Sequence, residues 1–187
     1  MFPPAPAAIV VLQLEVPMPA VVRTAQRARQ AGVAVLLNVA PVQPLPQVLW
    51  GLIDILVVNE GEASVLAGKE VVDVASAAQA AAALRQRGPA YVIVTLGADG
   101  VVLADAAGIR AQRAHEVQPV DTTAAGDTFI GALAAAWREG LPLDEAVALG
   151  QAASALCVTR RGAQPSIPHR RELVGPYAPH RDTTRTP

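Results

Sequence analysis

The sequence predicts an α/β fold built on an open, mostly parallel sheet with helices on both faces, and two patterns carry that prediction. Short runs rich in Val, Ile and Leu alternate with longer alanine-rich segments, which is typical of parallel strands joined by helices. The runs are almost continuously apolar, as strands buried on both faces of a sheet are. Right-handed crossovers between the strands are then expected.

Four strands and three helices are predicted in the first half of the chain. The strands cover residues 8–15, 33–39, 54–59 and 91–96, and the helices cover residues 19–31, 61–67 and 74–87. Three glycines stand where the helices would end, because glycine adopts the left-handed cap conformation without a steric penalty: Gly32, Gly68 and Gly88. The expected order is β-α-β-α-β-α-β.

The pattern then changes to a hairpin followed by two helices. The segments "VVLADAAG" and "IRAQRAHEV" predict two antiparallel strands with a turn near Ala107 and Gly108. The helices are expected at about residues 126–138 and 143–158, with Gly140 and Pro142 between them as stop and start signals. Residues 169–187 are polar and contain prolines, so they predict a disordered or loosely docked tail beyond a domain of residues 1–168.

Composition narrows the classes of function. The formal net charge is −1 and only 3% of the residues are aromatic, so no nucleic-acid-binding surface is indicated. The first basic residue is Arg23, no run of apolar residues is long enough to span a membrane, and a cytoplasmic location is the default expectation. Cys157, the single cysteine, lies in an apolar helical pattern and is expected to be a buried small hydrophobe.

The stretch "DTTAAGDTF", residues 121–129, places a carboxylate at the predicted start of a helix. A helix start favours negative charge, so Asp127 could be a simple N-cap. A cap does not explain the small residues before it, Ala124, Ala125 and Gly126, which leave backbone N–H groups open to an outside anion.

Other polar residues follow the predicted strands, where ligands of open α/β sheets bind. Glu15 ends the first strand, Asn59 and Glu62 follow the third, and Thr95, Gly97 and Gly100 follow the fourth. Each has a structural explanation as well: "NEGEA" can be a capped helix start, and "TLGADG" a turn that serves the hairpin.

Taken together, these clusters supply what a phosphoryl transfer needs. Gly126 offers bare N–H groups for a phosphate, Glu62 a carboxylate for a hydrated metal, and Asp127 a base near the acceptor hydroxyl. Neither "GxxxxGK[ST]" nor "GxGxxG" is present, so a P-loop and a dinucleotide fingerprint are excluded. The three histidines have no companion at metal-ligand spacing: His115, His169 and His180.

The segment "VDTTAAGDTFIGAL" resembles the carboxyl-terminal signature of the ribokinase-type (PfkB) carbohydrate kinases, and "TLGADGVVL" and "NEGEASVLAG" resemble the family's two other nucleotide-side motifs. Further likeness in "LQLEVP", "LNVAPVQPLP" and "VTRRGAQPSIP" extends the resemblance from about residue 8 to residue 168. It implies a Rossmann-like fold and an ATP-dependent kinase. The expected substrate is D-ribose, phosphorylated at its primary hydroxyl, with another sugar or a nucleoside as the alternative.

The resemblance also implies roles for single residues. Asp127 would be the catalytic base, and the N–H groups of Ala125, Gly126 and Asp127 would form an anion hole for the transferred phosphoryl group. Glu62 would organise hydrated Mg²⁺, and Glu15 would contact the sugar. Contacts to ATP would come from Asn59, Thr95, Leu96, Gly97, Ala98, Asp99, Gly100, Gly126, Asp127 and Gln151, the last beside the adenine.

A loop for a monovalent cation, usually K⁺, is implied as well. Its residues would be Asp121, Thr123, Cys157, Arg160, Gly162 and Ser166. Cys157 and Arg160 would contribute only main-chain carbonyl oxygens, because a thiol is a poor K⁺ ligand and a guanidinium repels a cation.

Members of this family begin with a further stretch of chain that carries the first strands, most sugar contacts and a small β-lid. Three interpretations of this sequence therefore stay open. It can be a truncated kinase, a nucleotide-binding remnant without activity, or half of a split kinase completed by a partner chain. A homodimer is a further possibility, and neither nucleic acid nor membrane is an expected partner.

Overall fold

The structure is a computed structural model that describes residues 9–174 and 184–185 of the 187-residue chain. The described residues fall into two compact units. Unit 1 comprises the described parts of Met1–Leu96, Val101–Ala111 and Arg185–Pro187, and unit 2 those of Gly97–Gly100 and Gln112–Thr184.

The sheet confirms the predicted mostly parallel arrangement. Four strands pair in parallel and in chain order: β1 (Ile9–Leu12), β2 (Ala34–Asn38), β3 (Ile55–Asn59) and β4 (Tyr91–Thr95). β5 (Val101–Asp105) is antiparallel to β4, and a two-residue turn joins it to β6 (Gly108–Gln112), which is the predicted hairpin. The two-residue strand β7 (Thr184–Arg185) ends the order. β1 and β6 are both shorter than the segments predicted as strands.

Four helices connect the parallel strands of unit 1; three of them lie at about the predicted residues, whereas the expected order with one helix in each crossover is wrong. They are α1 (Met18–Gln30), α2 (Gln47–Trp50), α3 (Glu60–Ala67) and α4 (Val74–Arg85). α3 and α4 share the crossover from β3 to β4, whereas the one between β2 and β3 contains only α2. The sequence did not predict α2, because four residues after Pro46 are too few to show a helical period.

The core of unit 1 lies between one face of the sheet and these helices. Every second residue of the strands contributes to it, together with the inward faces of α1 and α4; examples are Val35, Leu37, Leu56, Val58, Val92, Val94, Val21, Ala25, Ala77 and Leu84. The strand residues that alternate with them are also buried, among them Leu36, Ile55, Val57 and Ile93. This confirms that both strand faces are apolar because both are buried, and each such side chain contributes about 1.5–3 kcal/mol.

Of the three predicted cap glycines, Gly68 is the C-cap of α3, with a left-handed φ of 65°. Gly32 has a φ of 69° just beyond α1. Gly88 serves another purpose, because α4 already ends at Arg85. A Cβ atom on Gly88 would come within 2.5 Å of the Trp50 carbonyl oxygen, so glycine is needed there for close approach of two backbone segments.

Unit 2 contains the two helices predicted after the hairpin, α5 (Ala125–Arg138) and α6 (Leu143–Val158). They approach closely at Gly150, where a Cβ atom would lie 2.9 Å from the Phe129 ring. Within the predicted tail, Arg170–Glu172 forms a 3-10 turn that Glu172 ties to Arg160 at 2.6 Å. The rest of that prediction, residues 175–183 and 186–187, lies outside the described residues.

Gly88→Ala is expected to lower the free energy of unfolding by about 1–3 kcal/mol, because the new methyl group overlaps the Trp50 backbone at an already left-handed φ. Urea unfolding measures this change. Gly51→Ala is the matched control in unit 1, since its Cβ atom would meet nothing within 4 Å; it should change stability by less than about 0.5 kcal/mol. Equal effects of the two substitutions would contradict the packing role of Gly88.

Candidate active site

The carboxyl ends of β1 to β4 form one edge of the sheet in unit 1, and Glu15 lies there. Hydrogen bonds fix its neighbour Leu14: the Leu14 N–H group donates to the Ala40 carbonyl oxygen at 2.9 Å, and Gln43 Nε2 donates to the Leu14 carbonyl oxygen at 3.1 Å. Glu15 itself is exposed. The loop after β1 is thus fastened to the loop after β2, and it presents a carboxylate to solvent.

Asn59 and Glu62 form a capping box at the start of α3. Asn59 Oδ1 accepts from the Glu62 N–H group and Glu62 Oε2 accepts from the Asn59 N–H group, both at 2.9 Å. Glu62 is only 9% exposed, and burial raises the pKa of its carboxyl group against the opposing effect of the Asn59 hydrogen bond. The structural explanation of "NEGEA" therefore holds, and one Glu62 oxygen is engaged within the protein.

Thr95 lies opposite Asn59 in the register of β3 and β4, so the two residues end neighbouring strands. Its hydroxyl group donates to the Val58 carbonyl oxygen at 3.5 Å. Leu96, the next residue, is buried. Asn59, Glu62 and Thr95 are therefore brought together in unit 1, as expected for side chains at the carboxyl ends of adjacent parallel strands.

Asn38, at the carboxyl end of β2, was not among the predicted site residues. It is buried, and its Nδ2 group donates to the Val57 carbonyl oxygen at 3.3 Å while its Oδ1 atom accepts from Gln13 at 3.4 Å. An amide at the end of an otherwise apolar run was the available signal.

The loop Gly97–Asp99 of unit 2 is a 3-10 turn, followed by Gly100. Gly97 and Gly100 have left-handed φ values of 52° and 98°. A Cβ atom on Gly100 would lie 2.1 Å from the Gln112 carbonyl oxygen, so this glycine is required by packing. Gly97, Ala98 and Asp99 are exposed, and they form the part of the loop that a ligand can reach.

The segment that leads into the first turn of α5, residues 121–124 (the α5 entry), has an unusual backbone conformation. The N-cap residue of α5, Ala124, has a φ of 61°, and among the described residues it is the one non-glycine residue in the left-handed region. Such a conformation costs an alanine about 1–2 kcal/mol, so the surroundings must impose it. Gly126 and Asp127 are exposed within the first turn. The interpretation of Asp127 as an N-cap is wrong, because Asp127 is the third residue of the helix.

Asp121 fixes the segment that leads into this turn. Its Oδ1 atom accepts from the Thr123 N–H group and its Oδ2 atom accepts from the Gly162 N–H group, both at 2.9 Å. Hydrogen bonds from the Thr123 side chain and from these two N–H groups lower the pKa of Asp121 to about 2. An ionised carboxylate therefore joins the segment before α5 to the loop after α6.

The other residues of the predicted cation loop lie around the end of α6. Cys157 and Ser166 are buried and their side chains are 3.1 Å apart. The Arg160 guanidinium group is paired with Glu172, and the backbone N–H group of Arg160 donates to the Cys157 carbonyl oxygen at 3.0 Å. Residues 9–174 and 184–185 contain no group of three or more His, Cys, Asp or Glu side chains able to hold a metal ion.

Gln151, predicted to lie beside the adenine, is 7% exposed within unit 2. Its Nε2 group donates to Gln112 Oε1 at 3.1 Å, and Gln112 Nε2 donates to the Asp144 carbonyl oxygen at 3.0 Å. Gln112 was not predicted, because nothing in a polar residue at the end of a short strand indicates a buried partner 39 residues away.

The predicted site residues thus form two sets. Glu15, Asn59, Glu62, Thr95 and Leu96 belong to unit 1, and the remaining predicted residues belong to unit 2. Within unit 2 the structure brings together the α5 entry, Asp121 and the loop after α6.

The model of the pfkB family of carbohydrate kinases matches residues 6–170. This chain belongs to that family. Related proteins of the pfkB family include the ribokinase of Haemophilus influenzae, 47% identical over 163 residues, and the ribokinase of Staphylococcus aureus, 42% identical over 163 residues. These alignments cover 87% of this chain but only 53% and 54% of the two relatives, so the chain spans about half the length of the curated relatives it matches.

Solved structures of pfkB family proteins give the same picture. The structure of Arabidopsis thaliana ribokinase complexed with ribose and ATP matches with a TM-score of 0.86 at 37% identity, over 91% of this chain and 56% of that one. Aminoimidazole riboside kinase from Salmonella enterica matches with a TM-score of 0.75 at 28% identity, over 88% of this chain and 61% of that one. The sheet and helices described above therefore have the architecture of this kinase family.

As for membranes, no helix in the part of the chain that the structure describes combines the length and the apolar character needed to cross one.

Asp121→Asn is expected to lower the stability of the protein at neutral pH, because the carboxylate accepts hydrogen bonds in the folded state that hold its pKa at about 2. A lowered pKa contributes stability above pH 3.8, the value of an ordinary aspartate, and that contribution is lost as the pH falls through 3.8 towards 2. Urea unfolding of both proteins from pH 7 to pH 3 should show a difference that shrinks on acidification. A difference independent of pH would contradict the role assigned to Asp121.

Proposed function

We propose that this chain forms the nucleotide-binding and phosphoryl-transferring portion of an ATP-dependent sugar kinase that converts D-ribose and ATP to D-ribose 5-phosphate and ADP. One observation carries the proposal: the first turn of α5 exposes Gly126 and Asp127 directly after the left-handed Ala124. This arrangement offers backbone N–H donors beside a carboxylate. Membership of the pfkB family, and the likeness to ribokinases in particular, supports the choice of reaction.

Asp127 acts as the base in this proposal. Its carboxylate accepts the proton of the sugar's primary hydroxyl group while that oxygen forms a bond to the γ-phosphorus of ATP and the bond to the ADP oxygen breaks. N–H groups of the first helical turn, among them that of Gly126, stabilise the charge on the transferred group, because helix starts attract anions. The Ala125 N–H group, predicted to be part of this anion hole, donates instead to the Thr122 carbonyl oxygen at 3.2 Å. Phosphoryl transfer depends chiefly on such positioning and charge stabilisation.

ATP is held by Asn59 and Thr95 at the ends of β3 and β4, by the exposed part of the loop Gly97–Asp99, and by Gln151. Glu62 holds hydrated Mg²⁺ in this proposal. A single carboxylate suits that ion, which keeps most of its waters and needs no cluster of protein ligands. When bound, Mg²⁺ supplies neutralisation of phosphate charge.

The monovalent cation is held by oxygen atoms around Asp121, with carbonyl groups of Thr123, Cys157, Arg160, Gly162 and Ser166. The donor set fits K⁺: Asp121 brings a full negative charge at neutral pH, since its pKa is about 2. The Cys157 sulfur contacts hydroxyl groups instead, so only its carbonyl oxygen belongs to the set.

Glu15 contacts the sugar in this proposal. Further contacts to the sugar come from the part of the relatives' length that is not aligned with this sequence. A partner chain can supply them. The likeness to aminoimidazole riboside kinase makes a riboside the second candidate substrate.

The test is release of ADP from Mg-ATP with and without ribose, measured for the wild type, Asp127→Asn and Glu145→Gln. Glu145 is the matched control, because it is an acidic residue in the first turn of the other unit 2 helix. Loss of a general base should lower sugar-dependent turnover by about 10²- to 10⁴-fold in Asp127→Asn, with little loss of ATP affinity. Glu145→Gln should retain full turnover.

Other outcomes discriminate between the alternatives. ATP binding without sugar-dependent turnover indicates a nucleotide-binding remnant. Turnover with a riboside but not with ribose moves the assignment to the second substrate. Normal turnover in Asp127→Asn contradicts the proposed base, and absence of ATP binding contradicts the proposed function.

A further inference from the structure

Two side chains of α6, Ser154 and Cys157, reach the first turn of α5. They lie three residues apart and so on one face of α6. Ser154 Oγ donates to the Ala125 carbonyl oxygen at 3.0 Å, and the Thr128 hydroxyl group donates to Cys157 Sγ at 3.3 Å. Ala125 begins α5, and Thr128 directly follows the proposed base, Asp127.

The Cys157 thiol contacts both ends of the segment 123–128. It is fully buried, and besides the Thr128 hydroxyl group it lies 3.8 Å from the Thr123 carbonyl oxygen and 3.1 Å from Ser166 Oγ. Thr123 comes just before the strained Ala124. The thiol is therefore placed where it restrains the entry of α5 and its first turn at once.

The hydrogen bonds around the thiol have a direction that the chain itself fixes. Ser166 Oγ donates to the Ala163 carbonyl oxygen at 2.6 Å, and a carbonyl oxygen can only accept. The Ser166 hydroxyl proton is thereby used, so towards Cys157 this oxygen acts as an acceptor. Because Thr128 donates to the sulfur, the group at position 157 must accept on one side and donate on the other. A thiol does both, and an apolar side chain does neither.

We propose that Cys157 is a positioning residue for the first turn of α5: its buried thiol accepts from the Thr128 hydroxyl group and shares its one proton between Ser166 Oγ and the more distant Thr123 carbonyl oxygen, and so holds the turn in the conformation that presents Gly126 and Asp127. The sequence favoured a passive buried hydrophobe at this position, and the contacts assign it a specific task. Catalytic consequences of this inference rest on the proposed function, whereas its structural consequences do not.

The structural arm measures amide hydrogen exchange by NMR in the wild type, Cys157→Val and Cys157→Ser. Valine fills the space without hydrogen bonding, and serine keeps a donor and an acceptor. The Thr128 N–H group, which donates to the Ala124 carbonyl oxygen at 2.9 Å, reports on the turn. Removing the acceptor of the buried Thr128 hydroxyl group should raise this exchange rate about ten- to a hundredfold in Cys157→Val, and much less in Cys157→Ser.

Val147→Ala controls for general loss of stability, since Val147 is fully buried in the same helix, ten residues before Cys157. It should change exchange across α6 without a selective effect on Thr128. If Cys157→Val does not fold, Cys157→Ser decides, because a hydroxyl group at position 157 should restore folding; a serine variant that also fails to fold would contradict the hydrogen-bonding role. Unchanged Thr128 exchange in a folded Cys157→Val protein would overturn the inference.

The catalytic arm measures kcat and KM under the conditions that support turnover of the wild type. Misplacing the turn should lower kcat about ten- to a hundredfold in Cys157→Val with little change in KM for ATP, and Cys157→Ser should recover most of the loss. Equal loss in the serine and valine variants would contradict the hydrogen-bonding role. Absence of turnover in the wild type would instead count against the proposed function, and the exchange measurements would still decide the role of Cys157.

Discussion

The conformation of the α5 entry depends on the Asp121 carboxylate, which accepts from the N–H groups of Thr123 and Gly162. These bonds join the segment before α5 to the loop after α6. They also explain how a non-glycine residue, Ala124, is held in the left-handed region at a cost of about 1–2 kcal/mol. After this left-handed residue the chain enters α5, whose first turn exposes Gly126 and Asp127. The proposed phosphoryl transfer takes place at this turn.

Most of the fold could be predicted from the sequence, because its apolar runs and helical periods are set by burial. Strands buried on both faces are apolar throughout, as Leu36 and Leu37 are in β2. α6 occupies the predicted residues, and α5 begins one residue before its predicted start. Gly140 and Pro142 lie between the two helices, as expected. The short helix α2 escaped prediction, because four residues are too few to show a helical period, and its close approach to the distant Gly88 at Trp50 is a tertiary contact.

The candidate site was predictable only where its residues stand in a recognisable order along the chain. Asp127 and the small residues before it could be proposed as a candidate site from the sequence, but the place of Asp127 as the third residue of α5 depends on the backbone of Ala124, which no residue pattern shows. Gln112 and the thiol of Cys157 act through partners that are distant in sequence. Their roles follow from tertiary contacts, and the sequence alone does not show which distant residues are in contact.

The most direct test of the central claim is whether the first turn of α5 binds the phosphates of ATP. Mg-ATP can be titrated into ¹⁵N-labelled protein while the amide resonances of Gly126 and Gly131 are followed; both residues lie in α5, and Gly131 is more than one turn further along. The account predicts a saturable shift of Gly126, with Gly131 little changed. Saturable ATP binding that leaves Gly126 unshifted would contradict it.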